Sequence, residues 1–123
     1  MDVLIIEDEK VIALDMKWIL EKNGFNVVRI CATGEEAIQK ATELKPDLIL
    51  MDIVLQGEID GIEAAKIIYG KHKIPIVFCT ANCDTQFTLR MNLIEHEGII
   101  SKPFEDRILL RSLQTIQNRE GAN

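Results

Sequence analysis

Five side chains in this sequence are of types that do chemistry together: Glu7, Asp8, Asp52, Thr80 and Lys102. Each stands at or just beyond the end of a short apolar run. Residues 3–6 lead into Glu7 and Asp8, 48–51 into Asp52, 76–79 into Thr80, and 99–101 into Lys102. Three carboxylates gathered at one rim repel, and a like pair about 4 Å apart costs on the order of 4 kcal/mol at an effective dielectric near 20. Either one of them protonates or a cation binds. Hard, carboxylate-rich donors open to solvent suit Mg²⁺, which keeps waters and shares its shell with phosphate oxygens. Lys102 adds a mobile positive point charge, and Thr80 adds a hydroxyl donor. The set is arranged for an anion, and a phosphoryl group carried on Asp52 as an acyl phosphate fits it, with Asp52 as the nucleophile.

Such a rim needs elements that bring distant residues together. The runs at 3–6, 27–31, 48–51, 76–79 and 99–101 are continuously apolar rather than alternating. That pattern marks strands covered on both faces, as in a parallel sheet. Helical patterns fill the intervals, over residues 9–23, 34–44, 61–71, 84–96 and 104–118. Their signals are Gly24 closing the first, Thr33 with Glu36 as a capping box, Asp60 with Glu63, Asp84, and Pro103 at a helix start. Five β-then-α units predict an α/β sandwich of one domain, a doubly wound, flavodoxin-like parallel sheet in the order 2-1-3-4-5. In that order strand three is flanked by strands one and four. Asp52 is then central, the acidic pair lies on one side, and Thr80 and Lys102 lie on the other at increasing distance. The tail at 118–123 is expected to fray.

Composition narrows the function. The 123 residues are 47% hydrophobic and 28% charged, with a net charge of -6. No Lys/Arg-rich run offers a nucleic-acid surface, and no apolar stretch is long enough to span a bilayer. Met1 leads directly into an acidic residue and a strand, so no signal peptide is expected. An odd number of cysteines, Cys31, Cys79 and Cys83, without a CxxC pair fits a reducing, cytoplasmic setting. Cys79 and Cys83 alone are too few for a structural zinc.

Five pieces together resemble the receiver domain of two-component response regulators: residues 3–9, 46–52, Asp60-Gly61, 75–81 and 98–104. The likeness covers residues 2–117. It implies that Asp52 is the phosphoacceptor, charged by a histidine kinase or histidine phosphotransfer protein, in a switch that promotes its own phosphorylation and dephosphorylation and has no separate substrate. It further implies a Mg²⁺ site, open also to Mn²⁺, from Glu7, Asp8, Asp52 and the carbonyl of Val54. Thr80 and Lys102 match the phosphoryl-contacting pair that passes the change on, Ala81 and Pro103 support them, and the Lys102–Pro103 bond is expected to be cis. Dimerisation through the fourth-helix, fifth-strand, fifth-helix face is open.

Departures from the family pattern carry their own expectations. The loop after Asp52 lacks the usual proline and is one residue longer around Gln56-Gly57, so its mobility should differ, with Gly57 free to take positive φ. Ile99 stands where many relatives carry Tyr or Phe, so the signal should travel by a route other than ring burial. Glu7 is one methylene longer than Asp and should reach the ion through water. The resemblance puts Val54 and Asn82 at positions that tune hydrolysis in relatives. On the first helix Ile12, Met16, Ile19 and Leu20 form the core stripe, while Val11, Leu14 and Trp18 form a second stripe. That second stripe is either a docking surface for the phosphodonor or a packing surface for the fifth helix. His72, His96, Glu35 and Glu36 read as surface groups. Two rivals share the topology or the nucleophile. An aspartyl-phosphate hydrolase wants a second Asp where Val54 stands, and a flavodoxin wants a Ser/Thr/Gly-rich loop where 7–9 are acidic.

Overall fold

A computed structural model describes residues 1–81 and 84–121. Its strands are β1 (Asp2–Ile6), β2 (Asn26–Cys31), β3 (Leu48–Met51), β4 (Ile76–Thr80) and β5 (Gly98–Ser101). The helices between and after them are α1 (Lys10–Lys22), α2 (Gly34–Leu44), α3 (Gly61–His72), α4 (Thr85–Asn92) and α5 (Asp106–Gly121). All strand pairs are parallel and the order is β2-β1-β3-β4-β5, as the apolar runs predict. No helix among the described residues is long and apolar enough to cross a membrane.

The central strands β1, β3 and β4 are apolar and buried along both faces because each alternation serves a different layer, whereas the edge strands β2, with Arg29, and β5 alternate buried and exposed residues, against the two-sided burial expected of all five runs. Leu4, Ile6, Ile49, Met51 and Phe78 face one core with Ala37 and Ala41 of α2, Ile62, Ala65 and Ile68 of α3, and Met91 of α4. Val3, Ile5, Leu48, Leu50 and Val77 face the other, with Met16, Ile19 and Leu20 of α1 and Leu109, Leu113 and Ile116 of α5. Ile12, placed in the core stripe, is only half-buried at its edge. Cys31 and Cys79 are free and buried, and burial pushes both thiols up to about 12. Cys83 and Asn82 lie outside the described residues.

The helix starts follow their caps. The Thr33 side chain accepts from the Glu36 amide at 3.1 Å, Asp60 from the Glu63 amide at 2.9 Å, and Asp84 from the Phe87 amide at 3.0 Å. Two helix ends differ from the sequence pattern. α4 stops at Asn92 rather than 96, because Leu93 and Ile94 make shorter-range bonds to Arg90 and Met91 that turn Ile94 back onto the core. α5 begins at Asp106, later than Pro103 suggests, and runs through Gly121. The Lys102–Pro103 peptide is cis.

Candidate functional site

Sheet register places the chemistry. Ladder hydrogen bonds continue one residue past the strands: Glu7 N–H donates to Cys31 O at 2.9 Å, Asp52 N–H to Ile6 O at 3.0 Å, and Lys102 N–H to Thr80 O at 3.0 Å. Backbone bonds therefore hold Glu7, Asp52, Thr80 and Lys102 at one edge of the sheet, the carboxyl ends of the strands, where ligands of such sheets bind. Glu7, Asp8 and Asp52 each offer a carboxylate oxygen, and these atoms lie within 4.8 Å of one another. A cleft of about 850 Å³ opens there, bordered by Asp8, Asp52, Thr80 and Lys102 and walled by Val11, Ile12, Pro103 and Phe104.

The rim is less open than its composition suggests. Glu7, Asp52 and Thr80 are buried and only Asp8 is partly exposed among the three acids. Lys102 is not distant from the acids, as strand order implied. Its ammonium donates to Glu7 Oε1 and, at 3.2 Å, to Asp52 Oδ2. The lysine side chain is long enough to cross back from the end of β5 over β4. Burial by itself pulls the Lys102 ammonium down, but the hydrogen bond to Glu7 and the Asp52 and Glu7 charges outweigh it, so its value is raised. The remaining oxygens are also used: Asp52 Oδ1 accepts from the Ile53 amide at 2.8 Å, and Glu7 Oε2 from the Glu9 amide at 3.2 Å. Three carboxylates against one ammonium leave a surplus of negative charge on hard oxygen donors. That donor set fits a small divalent cation.

Behind Asp52 the backbone is closed tightly. Gly61 N–H donates to Ile53 O at 2.8 Å, and a Cβ on Gly61 would lie 1.8 Å from the Asp52 carbonyl oxygen. Asp60, the cap of α3, also takes Arg90 of α4 at 2.7 Å, which raises the guanidinium chiefly through that hydrogen bond. β3, α3 and α4 thus meet at one loop.

A family model described as the response regulator receiver domain matches residues 3–114. The chain belongs to that family. As a receiver domain of two-component signalling it is similar to the transcriptional regulatory protein PdtaR of Mycobacterium tuberculosis, with 33% identity over 95% of this chain and 57% of the relative. It is also similar to the alkaline phosphatase synthesis transcriptional regulatory protein PhoP of Bacillus subtilis, with 34% identity over 95% of this chain and 48% of that one. The receiver domain spans about half the length of these curated relatives. Among solved structures, the signal receiver domain of a modulated diguanylate cyclase from Desulfovibrio desulfuricans superimposes with a TM-score of 0.90 at 32% identity, over 99% of this chain and 98% of that one.

The structure brings together Glu7, Asp8, Asp52, Thr80 and Lys102 of the receiver domain, with Ala81 and Pro103 lining the same cleft. Val54 borders it with 55% of its surface exposed. Ile99 does not line it. Strand alternation with buried Ile100 turns Ile99 to the α4 side of β5, where it is partly exposed. Val11, Leu14 and Trp18 are 82%, 58% and 60% exposed, so the stripe is not covered by α5. Three groups read as surface residues also make contacts, Glu35 while exposed and Glu36 and His96 while half-buried. Glu36 accepts from the Ala32 amide and pairs with Arg29, and Glu35 accepts from two amides of the β3–α3 loop. The His96 ring packs edge-on against Phe78, and its buried Nδ1 has no hydrogen-bond partner among the described residues. No local pattern marks Glu35 or His96, because their partners are far away in sequence.

Proposed function

We propose that Asp52 accepts a phosphoryl group from a histidine kinase or histidine phosphotransfer protein and that the modified domain signals through its output surface. The observation that carries this reading is the meeting of the Asp52 carboxylate with the Lys102 ammonium beside Glu7 and Asp8 at the mouth of a cleft. An Asp52 oxygen attacks phosphorus, the P–N bond of the phosphoimidazole breaks, and the imidazole leaves with its electron pair and takes up a proton. Glu7, Asp8, Asp52 and the Val54 carbonyl would hold Mg²⁺ or Mn²⁺, which supplies positive charge to the phosphoryl oxygens. Lys102 exchanges its bond to the Asp52 carboxylate for one to a phosphoryl oxygen, and the Thr80 hydroxyl donates to another. Water later attacks phosphorus, releasing phosphate and restoring the carboxylate. No separate substrate is turned over.

Intact mass after treatment with acetyl phosphate and Mg²⁺ tests this. The wild type should gain one phosphoryl unit and Asp52→Asn none. No gain in the wild type, or the same gain in both, would sink the reading.

The exposed stripe of Val11, Leu14 and Trp18 runs from the lip of the cleft along α1. In this reading it docks the phosphodonor protein. Trp18→Ala should slow transfer from a phosphorylated partner on the order of tenfold, in line with loss of an aromatic contact residue, while acetyl phosphate labels both proteins equally. Equal slowing with both donors would instead show damage to the site. The reading also places the domain in the cytoplasm, without a nucleic-acid surface of its own, and leaves the α4–β5–α5 face for a second copy or an output partner.

A further inference from the structure

We infer that Glu35, on the first turn of α2, is a positioning residue for the candidate metal site, acting by holding the β3–α3 loop that presents Val54. This rests on the assignment of Glu7, Asp8, Asp52 and the Val54 carbonyl as metal ligands. The loop lacks a stiffening proline and its length alone would let it move. Five contacts instead lay it along residues 33–35. Gln56 bridges to Thr33 in parallel fashion. Glu35 Oε1 accepts from the amides of Glu58 at 3.2 Å and Ile59 at 3.0 Å. Gly57, at φ 98°, passes directly under the carboxylate, where a Cβ would meet Glu35 Oε2 at 2.4 Å. Gly34 has no side chain, which admits Ile59; a Cβ there would stand 2.8 Å from Ile59 Cγ1.

The tether matters for Val54 because the rest of the loop is already closed. The Ile53 amide is bound by Asp52 Oδ1, and the Ile53 carbonyl by Gly61 N–H. Ile53 is fully buried and Leu55 packs on the core, so Val54 sits between two anchored side chains. What remains to set its peptide orientation is the path of residues 56–59, and Glu35 fixes that path with charge-assisted bonds. A glutamate acting only on the helix dipole would leave these amides untouched.

The test uses the full chain. Hydrogen exchange of the metal-free protein reads residues 53–60, and calorimetric titration with Mg²⁺ reads affinity. Glu35→Ala should speed exchange of the 56–59 amides on the order of tenfold, as loss of one charged hydrogen-bond acceptor does. It should weaken Mg²⁺ binding about tenfold, the usual effect of losing a supporting contact behind a ligand. At saturating Mg²⁺ its labelling rate by acetyl phosphate should match wild type. Glu35→Gln, whose amide oxygen can accept both bonds, should recover most of the affinity. Gly57→Ala should mimic Glu35→Ala, and Glu43→Ala, on the same helix away from the loop, should behave as wild type. Wild-type exchange in Glu35→Ala overturns the inference, and so does faster exchange with unchanged affinity. If the wild type binds no more Mg²⁺ than Asp8→Asn, the ligand assignment itself fails and takes this inference with it.

Discussion

Lys102→Ala is expected to destabilise the metal-free protein by about 3–5 kcal/mol, the range for removing one partner from a buried ion pair. The ammonium touches two carboxylates, and Glu7 and Asp52 are both buried. Without it, two like charges share a desolvated rim with Asp8, and no other cation contacts them among the described residues. Urea unfolding gives the value directly, with an unchanged m confirming that only stability has moved. Mg²⁺ should return part of the loss, because an ion binding only the folded state adds about 2.7 kcal/mol at a hundred times its Kd. The gain should be larger in the variant than in the wild type, where the ammonium competes for the same oxygens. The sign with pH follows from the raised value of Lys102. Its contribution is whole below the ordinary lysine value of 10.5 and is lost as pH climbs through the raised folded one. A variant as stable as wild type at neutral pH would show that the carboxylates do not need the ammonium.

Gly61→Ala should cost at least the upper part of the roughly 1–3 kcal/mol range for overpacking, and it should lower labelling of Asp52. A Cβ at this position lies 1.8 Å from the Asp52 carbonyl oxygen, 2.8 Å from its carbonyl carbon and 3.0 Å from Ile53 Cα. All three are backbone atoms, so no side chain can swing aside to make room. Relief requires α3 to back away from β3, which breaks the 2.8 Å bond from Gly61 N–H to Ile53 O and shifts the peptide of Asp52 itself. Alanine favours helix over glycine by about 1 kcal/mol, and here that gain is overwhelmed. Gly70 in the same helix is the matched control. Nothing lies within 4 Å of a Cβ there, so Gly70→Ala should stabilise by up to about 1 kcal/mol. Thermal unfolding and acetyl phosphate labelling of the two variants side by side decide the matter. Equal behaviour of the pair would refute the close approach at Gly61.

Much of this architecture was legible from residue order because its signals are local. Unbroken apolar runs mark the central strands β3 and β4 as buried on both faces, and the caps at Thr33, Asp60 and Asp84 mark helix starts within one residue. Strand order then places Asp52 at the centre of a rim with Glu7, Asp8 and Thr80. Helix ends were harder to read. α4 stops where Ile94 turns in to reach the core, and α5 starts beyond the cis Lys102–Pro103 peptide. The first of these depends on packing rather than on residue propensity.

The sequence by itself determined which residues stand at the carboxyl ends of the strands, since that follows from hydrophobic period and the parallel crossover rule. Tertiary structure alone decided which of them touch. Lys102 reaches Glu7, 95 residues earlier in the chain and three strands away, because the sheet order puts Asp52 of the β3 end between them and both side chains lean over that centre. Glu35 holds a loop 23 residues onward because α2 ends up beside it, and the α1 stripe stays bare because α5 packs on the other residues of that layer. Side-chain contacts across such separations arise only once the layers are assembled, so no periodicity or spacing encodes them.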